Sequence, residues 1–146
     1  DAVQKHGGMI DKFIGDAMMA IFNAPIDLVE HENAAYLAAI DIKNNLEDVN
    51  RRLKDMNLPQ IAIGLGINSG NAVLGNMGSD TRFDYSAIGD AVNVAARFES
   101  GTKVAGVEIL IGASTAQKLD FELQSLEPIE AKGKSEKLQV YTWDIN

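Results

Sequence analysis

Apolar residues follow two different periods along this chain. Between 31 and 56 they recur at alternating spacings of four and three, at Ala35, Ala39, Ile42, Leu46, Val49, Leu53 and Met56, with Glu47, Asp48, Arg51, Arg52 and Lys54 on other faces. That stripe predicts an amphipathic helix packed on a sheet. A coiled coil shares the spacing, but one stripe this short fits a sheet-packed helix better. Asn57-Leu58-Pro59 ends it, because a residue before proline avoids helical dihedrals. Elsewhere the apolar residues stand in short runs between turn residues. Runs at 9–14 and 17–22 predict a tight hairpin around Gly15-Asp16. A β run with interleaved glycines covers 61–68, and 71–75 reads as its hairpin mate or continuation. A strand follows at 107–111, a short capped helix at 114–119, and a closing hairpin over 122–145 around Gly133. The order of hairpin, helix, strands, helix and strands predicts an α+β fold with helices on one face of the sheet.

Within FDYSAIGDAVNVAARFES, from 83 to 100, Gly89 gives a sharp turn and Asp90 is placed to cap the helix that follows. The small residues Ala91, Ala95 and Ala96 let that helix approach another backbone. Asn93 and Arg97 are four apart, so their heads project from one face into one small volume. An amide and a guanidinium there can hold a sugar and a phosphate together; a solvated surface helix is the plainer alternative. Upstream, Asp16 at the hairpin tip fits ordinary turn chemistry. Lys12 lies inside an apolar strand, where it must snorkel or meet a partner.

Composition narrows the field. The 146 residues make one domain (1–146), large enough for a core, and a hydrophobic content of 46% argues against disorder. Against 13 basic residues stand 21 acidic ones, a formal charge of -8, which disfavours nucleic-acid and anionic-membrane partners. A phosphate site must therefore be locally basic. With no cysteine there are no disulfides, thiolate metal sites or cysteine nucleophiles, which fits a reducing cytoplasm. No apolar run reaches the length of a membrane span, so no membrane contact is expected of this segment, although a parent protein could be anchored elsewhere. Gly64-x-Gly66-x-x-x-Gly70 has neither the dinucleotide nor the P-loop spacing. His6 and His31 read as incidental, and Asp11, Asp80 and Asp84 as surface or turn acids.

Taken together, KFIGDAMMAIF, INSGNAVLGNMGS, DYSAIGDAVNVAAR and the KGK at 132–134 stand in the order found in the class III nucleotidyl cyclases, and the chain resembles their catalytic domain from end to end. The serine of DYSAIG is similar to the bacterial branch with Ser or Thr at the purine-selecting position. The resemblance implies a ferredoxin-like antiparallel sheet. It also implies conversion of ATP to 3′,5′-cyclic AMP and pyrophosphate by attack of the ribose 3′-oxygen on the α-phosphate, a reaction catalysed by positioning and electrostatics. By resemblance Asp16 binds metal, one carboxylate of a site for two Mg²⁺ or Mn²⁺ ions. Asn93 orients the ribose and Arg97 stabilises the transition state. Lys12 and Ser86 select the purine, and Lys132, or Lys134 two places on, takes the terminal phosphate. Lys12 argues for ATP, since an ammonium can donate to adenine N1; the Ser86 hydroxyl can accept from adenine or donate to guanine. Asn71 stands where some relatives carry a phosphate-contacting arginine.

Family sites form between subunits, and this chain carries residues of both kinds, which implies a homodimer with two equivalent interfacial sites. The family's opening F-x-D-I-x-G-F-T strand, with its first metal-binding aspartate, and the helix after it have no counterpart here. The expectation is an N-terminally truncated domain, inactive alone, from a parent with an upstream regulatory domain. Two other readings stay open: a non-catalytic cyclase-homology module that dimerises or binds nucleotide, and a guanylate cyclase.

Overall fold

A computed structural model describes residues 1–76, 85–130 and 136–144. In chain order the elements are α1 (Ala2–Lys5), β1 (Met9–Ile14), β2 (Ala17–Ile21), α2 (His31–Asp55), β3 (Leu65–Ile67), β4 (Val73–Asn76), β5 (Tyr85–Ile88), α3 (Asp90–Ala105), β6 (Ile109–Gly112), α4 (Ala113–Ala116), β7 (Leu123–Ser125), β8 (Ile129–Glu130), β9 (Lys137–Leu138) and β10 (Val140–Trp143). The expected hairpin is β1 and β2, paired antiparallel and turning at Gly15, whose φ of +61° suits a residue without a Cβ.

The central sheet has the order β3-β6-β10-β7 and corrects the sequence reading twice. It is mixed rather than antiparallel, because β3 and β6 pair in parallel, Leu65 opposite Ile109 and Ile67 opposite Ile111. Parallel neighbours need a crossover, and the chain between them supplies α3. Consequently 71–75 is not the mate of the preceding run: β4 pairs with β5, Val73 opposite Ile88. The second correction is that helices cover both faces. Side chains alternate along a strand. Ile109 and Ile111 join Tyr36 and Ala39 of α2 and Trp143, whereas Leu110 joins Val94 and Phe98 of α3 and Val140.

The predicted stripe on α2 faces inward, with Ala39 buried and Ala35, Ile42, Leu46 and Leu53 half-buried, and Tyr36 and Ala38 add to its buried face. Tyr36 stacks against Phe121 at 4.7 Å and meets Trp143 edge-on at 6.4 Å. Burial pushes the Tyr36 phenol above its ordinary pKa. The far half of α2 leaves the core, with Met56 65% exposed. There Asn50 does the anchoring: its side-chain amide pairs with both the N–H and the C=O of Ile61 as the chain returns. At the other end, nested antiparallel pairs β7/β10 and β8/β9 form the closing hairpin; its Gly133 lies outside the described residues.

Candidate active site

The seat of α3 places the two polar side chains that drew attention in the sequence. On the inner side, β3 comes unusually close: a Cβ on Gly66 would lie 2.5 Å from the Glu99 backbone nitrogen. At the first turn, the loop after β3 grips the helix. The Asn68 amide donates to the Ala91 carbonyl at 3.0 Å, Ser114 donates to the Ser69 carbonyl at 2.8 Å, and the Ser69 and Thr115 hydroxyls lie 2.7 Å apart. A Cβ on Gly70 would meet Ala91 Cβ at 2.8 Å. The expected side-chain cap is replaced: Gly89 is the N-cap, and its carbonyl accepts from Val92 at 3.1 Å and Asn93 at 3.3 Å. Asp90 instead occupies the first helical turn, where a carboxylate complements the helix dipole. Asn93 and Arg97 then stand one turn apart on this helix, Asn93 exposed and Arg97 half-buried.

Ser86 lies on β5, three residues before the N-cap, and is buried at 3% exposure. Its hydroxyl donates to Asp11 Oδ2 at 2.8 Å, tying β5 to β1. Asp11 owes this position to a β-bulge. Ile10 pairs with Ala20 and Lys12 with Met19, so Asp11 is the extra residue on its strand. Bulges re-aim side chains in this way. The sequence reading of Asp11 as a surface or turn acid is thereby corrected; its signal was an acid beside a lysine within an apolar run. Lys12, next to it, is exposed, and no ion pair among the described residues uses Lys12, Asp16 or Arg97.

Asp16 sits exposed at the hairpin tip, two residues past the end of β1, the strand that carries Lys12. Lys132, the terminal-phosphate candidate, lies outside the described residues, as do Lys134, Asp80 and Asp84. The histidines are structural. His6 Nε2 lies 2.7 Å from Asp41 Oδ2 and Lys5 Nζ donates to the same oxygen at 3.1 Å, which pins α1 to α2. The His6 hydrogen bond, with that of Lys5, holds the Asp41 carboxyl below the usual carboxylate range. His31 pairs with the adjacent Glu32 at 3.1 Å.

A family model described as the adenylate and guanylate cyclase catalytic domain matches residues 2–145. The chain belongs to this family. Among its cyclase relatives is an adenylate cyclase of Anabaena cylindrica, 38% identical over 146 residues, covering 96% of this chain and 29% of that protein. Among solved structures, the adenylyl cyclase CyaB from P. aeruginosa superposes with a TM-score of 0.87 at 32% identity, covering 96% of this chain and 73% of that one. The guanylyl cyclase Cya2 gives 0.83 at 27% identity, covering 96% and 71%. The chain thus spans less than a third of the length of its curated Anabaena relative.

Cyclases of this family bind nucleotides, form dimers and generally use divalent metal ions. Among the described residues no three His, Asp or Glu side chains gather as a metal cluster. The lone exposed carboxylate of Asp16 nonetheless suits Mg²⁺, which keeps several waters and takes one or two protein carboxylates beside substrate phosphates. Among the described residues no helix is long and apolar enough to cross a membrane.

Proposed function

We propose that this cyclase domain makes 3′,5′-cyclic AMP and pyrophosphate from ATP. The observation that carries the reading is the Ser86–Asp11 hydrogen bond, which joins the strand holding Lys12 to the strand that runs straight into the Asn93–Arg97 helix. One contact thus ties a purine-reading edge to a ribose- and phosphate-reading helix. Residues 1–146 belong to one cyclase catalytic domain, of which they form a part.

Lys12 donates to adenine N1 and Ser86 meets the 6-amino group. Asn93 bonds the ribose and fixes the 3′-oxygen in line with the α-phosphate, which makes the attack effectively unimolecular. The guanidinium fork of Arg97 neutralises charge as it builds on the phosphoryl oxygens. Lys132 holds the terminal phosphate as pyrophosphate leaves. Asp16 would hold Mg²⁺ or Mn²⁺, and a bound ion would supply Lewis acidity to the 3′-oxygen and the phosphates.

Asp16 stands in the hairpin turn, past the end of the strand that carries Lys12, and a homodimer in which the Asp16 of one protomer faces the purine and phosphate residues of the other uses every named side chain. The exposed apolar residues Phe13, Ile14 and Met18 on the hairpin, with Val73, Leu74 and Ile88 on β4 and β5, supply a surface for such pairing.

The test is a product assay on the longest polypeptide that carries this domain, with ATP or GTP and either metal. Cyclic AMP with equimolar pyrophosphate is expected. Binding of ATP without any cyclic product would support a non-catalytic nucleotide-binding module instead, and preference for GTP a guanylate cyclase.

A further inference from the structure

We infer that Asp11 is a positioning residue that turns the Ser86 hydroxyl into an acceptor and so makes it read adenine. The inference rests on the adenylate cyclase reading above and deepens it. A serine hydroxyl has one proton and two lone pairs, and by itself it can satisfy either purine by rotating. Here the proton is already placed: it points at Asp11 Oδ2, 2.8 Å away, and Ser86 is 3% exposed, so water does not compete freely for it. A carboxylate can only accept. What Ser86 has left to offer a ligand is a lone pair.

The two purines differ at the atoms in question. Adenine presents a 6-amino donor beside the N1 acceptor; guanine presents a 6-oxo acceptor beside an N1–H donor. An acceptor at Ser86 next to a donor at Lys12 complements adenine at both positions and opposes guanine at both. Without Asp11 the hydroxyl could turn and donate to the guanine oxygen, leaving only the Lys12 mismatch. Sites that hold polar groups in one orientation reject the wrong partner because its groups are left unpaired.

The bulge is the device that makes this possible. In a regular strand neighbouring side chains point to opposite faces. The extra residue between Ile10 and Lys12 breaks that alternation where Asp11 must reach Ser86 on β5. Asp11 therefore belongs to the purine edge through Ser86, while touching no ligand itself.

The experiment measures binding of 3′-deoxy-ATP and 3′-deoxy-GTP, which lack the attacking hydroxyl, to the full polypeptide. It compares wild type, Asp11→Ala, Ser86→Ala and the double variant by calorimetry. D11A is expected to lower the adenine-to-guanine affinity ratio about 10-fold or more, and to leave that ratio unchanged in the S86A background, since the coupling runs through the hydroxyl. A ratio that D11A does not move, or that it moves equally without Ser86, overturns the inference. A second measurement needs no variant: purine riboside triphosphate keeps N1 and lacks the 6-amino group, so it should bind wild type about 10-fold more weakly than ATP. Equal binding overturns the acceptor assignment. A wild-type protein that binds both purines equally, or prefers guanine, sinks the adenylate reading and this inference with it. An adenine preference that D11A leaves intact sinks the inference alone.

Discussion

Gly66→Ala should damage turnover more than its single methyl suggests. The new Cβ would lie 2.5 Å from the Glu99 backbone nitrogen, 3.1 Å from Glu99 Cα, and closest of all to the Ala95 carbonyl oxygen. Comfortable contacts for carbon begin at about 3.5 Å, so α3 must retreat by about 1 Å. No rotamer change relieves the clash, because every atom met is backbone. The strand cannot yield readily either, since Leu65 and Ile67 on its other side pack into the Tyr36 cluster. Overpacking of this kind costs about 1–3 kcal/mol, which for a domain of this size lowers Tm by about 2–12 °C. Arg97 lies between Ala95 and Glu99 and is carried along, and a displacement of about 1 Å in a positioning site costs ~10²-fold in rate. Thermal unfolding followed by circular dichroism and cyclic nucleotide formation at saturating ATP give the two readouts. A variant that melts and turns over like wild type would show that β3 does not set the position of α3.

Arg97→Ala should lower kcat by ~10²-fold or more with little change in nucleotide affinity, as for other fixed charge stabilisers; unchanged turnover removes Arg97 from the mechanism. Lys12→Glu with Ser86→Cys should shift preference toward GTP, because a carboxylate can accept from guanine N1–H and the 2-amino group. An ATP:GTP rate ratio left as in wild type would show the purine assignment to be wrong. Asp41→Asn should be less stable than wild type at neutral pH and converge with it in acid. The hydrogen bonds from His6 and Lys5 lower the folded-state carboxyl pKa. Its stabilisation is therefore present above the ordinary carboxylate value of about 4 and is lost as pH falls through the lowered one. Denaturation curves that stay equally separated down to strong acid would contradict that linkage.

Local features were legible in the sequence because local physics makes them. The Gly15-Asp16 turn, the length of α2 and the i,i+4 pair on α3 each follow from a few neighbouring residues. Pairing between distant strands was not so readable. Yet the clue to a sheet covered on both faces was present: Ile109, Leu110 and Ile111 are consecutive apolar residues, all fully buried. An unbroken run of that kind marks a strand with no solvent face, as parallel neighbours usually are. The interleaved glycines of β3 carried a second clue. Gly66 faces α3 between Leu65 and Ile67, which face α2, so the position without a side chain is where a helix backbone comes near. For Asp11 the sequence offered only an acid beside a lysine within an apolar run; the bulge itself exists only once β1 is registered against β2.

The proposed site residues and the core residues of α3 are sequence neighbours, and this explains how the fold aims the two polar heads. Val94 and Phe98, four apart, face Leu110 and Val140 in the core. Asn93 and Arg97 each come one residue earlier, about 100° round the helix. Burying Val94 and Phe98 therefore fixes the rotation of α3, and that rotation fixes the direction of the amide and the guanidinium together. The Asn68 and Gly70 contacts at Ala91 stop the helix from sliding along its axis, while Gly66 sets its distance from the sheet. Rotation, translation and distance are each held by a different group, none of them among the proposed substrate contacts. For the proposed cyclisation, driven by alignment and charge rather than by a protein nucleophile, those contacts bear on rate as directly as the polar heads they position.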